Sequence, residues 1–221
     1  MRFSFSDNPI MRAMGKVFDL MVLNFFFLLF SLPIVTAGAA LTAMYSVTLR
    51  MAKNEEGYIV KPFVKAFKDN FKRATILWLM FLVVMIMVGL NIFITLFQDM
   101  IANELLSNFA LVFFVIVGSV VLMMALYAFP MTARYEVGFK ATLSNALLLA
   151  IGRLPYSFLL VALHVVPVIA TFLSIETMAI GLFLWVFLGF AILAFLSSKI
   201  LRRVFVILDP KEEDEEEDVE A

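Results

Sequence analysis

From Ala74 to Phe97 the chain runs 24 residues without a charged side chain, and comparable stretches follow at Leu105–Ala133, Leu154–Ile175 and Thr177–Ser198. About 20 apolar helical residues cross a bilayer hydrocarbon core of roughly 30 Å. Lipid offers a backbone no hydrogen-bond partners, so each run is expected as a helix. Charges bound every one of them: Arg73, Asp99, Glu104, Arg134, Arg153, Glu176 and Lys199. Composition agrees. The chain is 63% apolar and 16% charged with a mean hydropathy of +1.01, whereas soluble domains run about 45–50% apolar and about 25% charged. A water-soluble globule is excluded. With no cysteine among the 221 residues, so are disulfide scaffolds and thiolate metal sites.

The first apolar stretch is harder to divide. Thirty uncharged residues separate Asp19 from Arg50, too many for one upright helix and fewer than the roughly 40 that two would fill. Leu32-Pro33-Ile34-Val35-Thr36-Ala37-Gly38 lies in the middle, where Pro33 removes an amide donor and Gly38 permits turn dihedrals. With Asn8 as cap and Pro9 in the first turn, helices near Pro9–Leu32 and Ala37–Ala52 would form a tight hairpin. The second is rich in small residues, which let helices approach closely in lipid. A cleaved leader is not expected, because the apolar run is long and a polytopic chain continues beyond it.

Charge bias then favours two crossings over one. With two, all 17 Lys and Arg fall in segments 1–16, 50–73, 134–153 and 199–221, and the opposite side receives only Asp99, Glu104 and Glu176. That is the positive-inside pattern. The expected fold is an all-α polytopic membrane protein with six transmembrane helices and both termini cytoplasmic. The alternative is five spans plus a re-entrant element. Residues 1–208 form one helical domain carrying a net +7, and 209–221 form an acidic tail of net −8, expected to be disordered.

The most patterned segment is Tyr58–Arg73. Pro62 suits a first helical turn, and at 100° per residue Lys61, Lys65, Lys68 and Lys72 share one face, with Phe63, Val64, Phe67 and Phe71 opposite. This predicts an interfacial cytoplasmic helix, its phenylalanines in the acyl boundary and its lysines toward anionic headgroups, or else a docking surface for a partner. A related pattern recurs 80 positions later: Phe63, Ala66, Phe67, Phe71 and Arg73 answer to Leu143, Ala146, Leu147, Ile151 and Arg153. Each copy reads as a span, an amphipathic cytoplasmic helix and a returning span, a parallel repeat of the kind transporters use.

Ionisable groups at membrane depth are costly and therefore functional candidates. His164 is the one near mid-span, three residues before Pro167. Asn91, Asn24 and Ser119 are the other deep polar positions, expected to make interhelical hydrogen bonds. Lys16 and Asp19, one turn apart, read as a local ion pair. No intramembrane carboxylate pair, His-Glu-x-x-His motif or Gly-rich phosphate loop is present, so neither an enzyme nor a cofactor or metal site is expected. The basic residues sit at membrane boundaries, so nucleic acid is not an expected partner.

Three stretches carry a resemblance: Leu32–Gly38 running into the small-residue helix, Gly57-Tyr58 leading into Phe63–Lys72, and Ala146–Pro155. Through them the chain resembles the YesL-like family of small bacterial membrane proteins, whose biochemical activity is not established. The resemblance implies residence in a bacterial cell membrane and association with carbohydrate importers of the ATP-binding-cassette class, and it supplies no catalytic residues. The partners it implies are the permease or ATPase subunits of such an importer, besides the bilayer itself. Permeases of those importers dock on their ATPase through a loop Glu-Ala-Ala-x3-Gly-x9-Ile-x-Leu-Pro. From Glu136, Leu154 and Pro155 fall at that spacing, but Val137, Gly138, Thr142 and Gly152 replace the other four positions. The resulting expectation is a non-enzymatic accessory protein of a sugar importer. The alternative is a transporter or permease component in its own right.

Overall fold

The computed structural model describes residues 9–55, 57–97 and 104–206. The acidic tail, the Asn8 cap and the Asp99 boundary expected from the sequence lie outside these residues. Helices follow in the order α1 (Pro9–Ser31), a 3-10 turn (Ile34–Thr36), α2 (Ala37–Ala52), α3 (Val60–Phe97), α4 (Glu104–Arg134), α5 (Phe139–Gly152), α6 (Leu154–Thr171), α7 (Ile175–Leu184), a π-helical turn (Trp185–Gly189) and α8 (Phe190–Phe205). Among the described residues there is no strand. Six helices among these residues are long and apolar enough to cross a membrane, with α7, the π turn and α8 counting as one of 31 residues. The protein is thus a helical, multi-pass membrane protein.

Helix α2 is the centre. Twelve of its 16 residues are buried, and α1, α3, α4 and α8 all pack on it. Its small side chains make this possible. A Cβ at Gly38 would collide with the Trp78 side chain and stand 2.7 Å from the Ala74 carbonyl oxygen on α3. Because apolar burial drives little between helices already in lipid, such close backbone packing carries the association. At the other end of α2, Asn54 adopts a left-handed φ of 57°, a conformation Asn tolerates after a helix. Its side-chain oxygen accepts from Lys16 at 2.9 Å. This contact bridges α1 and the α2–α3 loop.

The α1–α2 turn satisfies its own backbone. Thr36 Oγ1 donates to the carbonyls of Phe30 (2.6 Å) and Pro33 (2.8 Å), and Trp78 Nε1 donates to Ile34 (2.8 Å). The turn therefore sits beside Trp78, and α3 runs on from there for 19 residues to Phe97, about 28 Å at 1.5 Å per residue. The hairpin is displaced along α3 toward the end of the bundle that carries the basic residues. Further along, α3–α4 and α6–α7 continue as two apolar arms with largely exposed side chains.

The segment expected as a separate interfacial helix is the first third of α3. Nothing between Arg73 and Ala74 interrupts the ladder, so one helix of 38 residues forms. Its phenylalanine face meets protein, contrary to expectation. Phe63 is fully buried, 6.1 Å from Phe26 and 5.5 Å from Phe30, and Phe67 lies 4.8 Å from Phe30. Phe71 alone of the three remains exposed. In the second copy of the repeat the corresponding helix does separate: α5 ends at Gly152 and α6 begins at Leu154. Pro155, where the first copy has Thr75, lacks the amide that would continue the ladder. Ser157 ties the break together, donating to the Ala150 carbonyl at 2.8 Å and lying 3.1 Å from the Tyr127 hydroxyl.

Asn24 makes the most demanding interhelical contact. A π turn shifts the ladder to i→i+5 and leaves backbone groups at its ends without their usual partners. Fully buried on α1, the Asn24 amide donates to the carbonyls of Trp185 (3.1 Å) and Val186 (2.8 Å) and accepts from the Ala191 N–H (3.0 Å). We predict that Asn24→Ala destabilises the protein by about 1–2 kcal/mol, in the range of strong polar contacts within membranes. Asn91→Ala and Ser119→Ala should be near neutral, since each side chain bonds only the i−4 carbonyl of its own helix. Unfolding titrations in mixed micelles measure the difference; equal midpoints for the three variants would contradict it.

Candidate functional site

Polar chemistry gathers where the ends of α2, α3 and α4 meet. Arg50 is the last charge on α2. Lys65, Asp69, Lys72 and Arg73 project from α3 at helical spacing, and Arg134 and Glu136 follow from the end of α4. Together these line an open cleft of about 960 Å³, with five basic and two acidic side chains. A smaller hollow of about 210 Å³ adjoins it, adding Lys53, Glu55 and Arg202 to the shared Arg50 and Arg134.

The arginines are held in place. Arg73 donates to the carbonyls of Val137 (2.7 Å), Tyr135 (3.2 Å) and Thr132 (3.3 Å), and to Asn70 Oδ1 (3.1 Å). Arg202 donates to the Ala52 carbonyl at 2.6 Å, tying α8 to the end of α2. The Arg134 guanidinium lies 5.2 Å from the Tyr135 ring centroid and 5.4 Å from that of Phe205, within cation–π range. Arg50 pairs with Glu55 at 3.1 Å. The acceptors around Arg73 are neutral carbonyl oxygens, which orient its guanidinium without cancelling its charge. A planar guanidinium, with five donors in a rigid fork, suits carboxylate or phosphate oxygens.

The sequence-derived candidates distribute unevenly around this cleft. Lys65, Lys72 and Glu136 line it. Lys61 and Lys68 are exposed and border a shallow outer hollow with Lys65. Leu154 and Pro155 start α6 and line neither hollow. The expectation of interhelical bonds holds for Asn24 and fails for Asn91 and Ser119, whose side chains turn back on their own helices. His164 does the same, its Nδ1 standing 2.8 Å from the Leu160 carbonyl oxygen. Near it, α6, α7, the π turn and α8 flank an open apolar hollow of about 470 Å³ lined by residues such as Pro167, Gly181 and Trp185. The polar pair on its wall, Trp185 Nε1 donating to Thr171 Oγ1 at 2.9 Å, is already satisfied. Among the described residues no three His, Asp or Glu side chains converge as metal ligands would.

Sequence reasoning passed over Arg50, Arg73, Arg134 and Arg202 as site residues. The available signal for Arg50, Arg73 and Arg134 was their position, each bounding an apolar run, but the folding of three helix ends into one cleft is a tertiary fact.

A protein-family model described as "Protein of unknown function, DUF624" matches residues 20–92. The match runs from α1 through the hairpin and α2 into α3, and so takes in Asn24, Arg50 and the α3 wall of the cleft. It is consistent with the resemblance to the YesL-like family. No curated protein and no solved structure matches the chain.

Arg73 should hold the cleft open as a defined shape. Hydrogen bonds from a charged donor contribute about 1.5–3 kcal/mol each, and 1.4 kcal/mol corresponds to about tenfold in an equilibrium. Amide hydrogen exchange across residues 132–140 should therefore quicken by about tenfold or more in Arg73→Gln. Arg73→Lys should behave alike, because an ammonium lacks the fork that reaches several carbonyls. Unchanged exchange in both variants would remove Arg73 from this role.

Proposed function

We propose that the chain is a non-enzymatic accessory protein of a carbohydrate importer of the ATP-binding-cassette class, resident in a bacterial cell membrane with its basic end and both termini in the cytoplasm. The observation that carries this reading is the cleft: Arg73 anchored on backbone carbonyls, Arg134 on aromatic rings, and lysines on a rigid helix form a preorganised basic recess at one end of an otherwise apolar molecule. Such a recess suits an acidic surface of a permease or ATPase subunit, because fixed charges pay little ordering entropy on association. The resemblance to the YesL-like family supplies the class of partner, and the family match over residues 20–92 is consistent with it. The apolar arms leave the bilayer, or a partner's helices, as their neighbours. That every Lys and Arg falls on one side of the apolar runs supports the orientation.

Lys65 and Lys72 are exposed, so Lys65→Gln/Lys72→Gln should fold normally while weakening a charge-based contact. Affinity capture from membranes of sugar-induced cells, in gentle detergent, should recover permease or ATPase subunits with the wild type. Recovery should drop several-fold with the double variant, since close interfacial charge pairs carry about 1.5–7 kcal/mol. If neither subunit is recovered with the wild type, the accessory role is wrong.

A further inference from the structure

A third recess, of about 230 Å³, lies where the first half of α1 meets the end of α2 and the loop into α3. Val47, Met51 and Ile59, all buried, give it apolar surface. Five polar side chains join them: Lys16 and Asp19 from α1, Arg50 from α2, and Asn54 and Glu55 from the loop. Two contacts hold this set in shape. Lys16 Nζ donates to Asn54 Oδ1 at 2.9 Å, and Arg50 Nε donates to the Glu55 carboxylate at 3.1 Å. Neither contact uses up its groups, because an ammonium has three donors, a guanidinium five and a carboxylate about four lone-pair sites. Tyr58 also lines the recess while remaining 85% exposed. Lys61 Nζ stands 6.0 Å over its ring, and a ring so little covered still has a face to offer a ligand.

We propose that this recess binds a single hydroxyl-rich sugar ring, either a free monosaccharide or the glycosyl headgroup of a lipid. Charge argues against an ion. The lining holds two basic and two acidic side chains, each base beside an acceptor, so neither an anion nor a cation meets a matching field. A zwitterion needs its two signs recognised apart, and here they are interleaved. A hydroxyl both donates and accepts, so several of them on one ring suit a rim where donors and acceptors alternate. The C–H faces of that ring suit Val47, Met51 and Ile59 below and the Tyr58 ring beside them. Size agrees: about 230 Å³ is the share of roughly eight liquid waters and lies below the roughly 300 Å³ at which drug-sized pockets begin. One ring fits and an oligosaccharide does not. The inference rests on this recess and not on the cleft, and its test needs no importer subunit, so either reading can fail alone.

Gly57→Cys places a thiol in the lining of the recess in a chain that has no other cysteine. The nearest atom to the new Cβ is Arg50 Nη2 at 3.8 Å, an ordinary contact. Ser144→Cys, exposed on α5 and outside the recess, is the control. In full-length protein in phosphatidylcholine nanodiscs, glucose, galactose or mannose at about 10 mM should slow maleimide labelling of Gly57→Cys several-fold, given the roughly 1 mM dissociation constant usual for so small a ligand. Labelling of Ser144→Cys should not change. Tyr58→Ala and Glu55→Ala, both at exposed positions, should each remove the protection, and Tyr58→Phe should keep it. Nanodiscs containing a monoglucosyl diacylglycerol form the second arm. Protection there without protection by free sugar assigns the recess to a lipid headgroup, and the reverse assigns it to a soluble sugar. No protection in either arm, equal slowing at Ser144→Cys, or protection that survives both Tyr58→Ala and Glu55→Ala would overturn the proposal.

Discussion

The packing of α3 onto the small-residue face of α2 sets the positions of everything else. Where Gly38 meets Ala74 and Trp78 there is no room for a Cβ, and that closeness replaces the hydrophobic driving force that lipid does not provide. Once α2 is enclosed, its partners have few choices. The Phe63 and Phe67 face of α3 closes on Phe26 and Phe30 of α1. Thr48 and Ser198, 2.8 Å apart, pin α8 along α2. Asn24, on the same α1, completes the backbone of the π turn. A buried polar network of this kind stabilises only when every member is satisfied, and here each backbone group that Asn24 meets has its partner.

From that core follows the separation of the molecule into a polar end and two apolar arms. Because α2 and α3 run antiparallel and join through a short loop, Arg50 comes to face Lys65, Asp69 and Arg73, and the end of α4 closes the third side. The cleft is thus a by-product of how helix ends must meet, fixed in part by the carbonyl contacts of Arg73. Its electrostatics connect structure to function, as a seat for an acidic partner: basic side chains gather at one end, and lipid-compatible surface lies elsewhere.

Much of this was legible in the sequence. Pro9, the Leu32-Pro33 turn, the Ala37–Ala52 helix and the restart near Pro155 all emerge where backbone chemistry says they should. The continuity of α3 was not, because the Arg73–Ala74 junction changes polarity without breaking a helix, and polarity alone was read as a boundary. The destination of the phenylalanine face was equally hidden, since an apolar stripe reads the same whether lipid or another helix covers it. The far ends of α6 and α8 also shifted: α6 stops at Thr171, and the last helix runs on past Lys199 to Phe205, because a helix can carry its charges out of the apolar layer. Of the cleft, the lysines were visible as a periodic face, whereas the arginines were visible only as boundaries. Asn24 stood out as a deep amide, but a π turn 161 residues away has no signature in the sequence around it.

The displaced hairpin is the feature on which this account most depends, because it brings α2 and its Arg50 down to the basic end. It is tested by the depth of the Pro33 turn. Val35 is half exposed, on the turn beside Trp78, and Thr177 is exposed in the first turn of α7. With a membrane-impermeant maleimide added to intact cells, Thr177→Cys should label and Val35→Cys should not, the latter staying within the apolar layer even after the membrane is opened. Labelling of Val35→Cys from outside at the rate of Thr177→Cys would place the turn at the far surface and contradict the displacement.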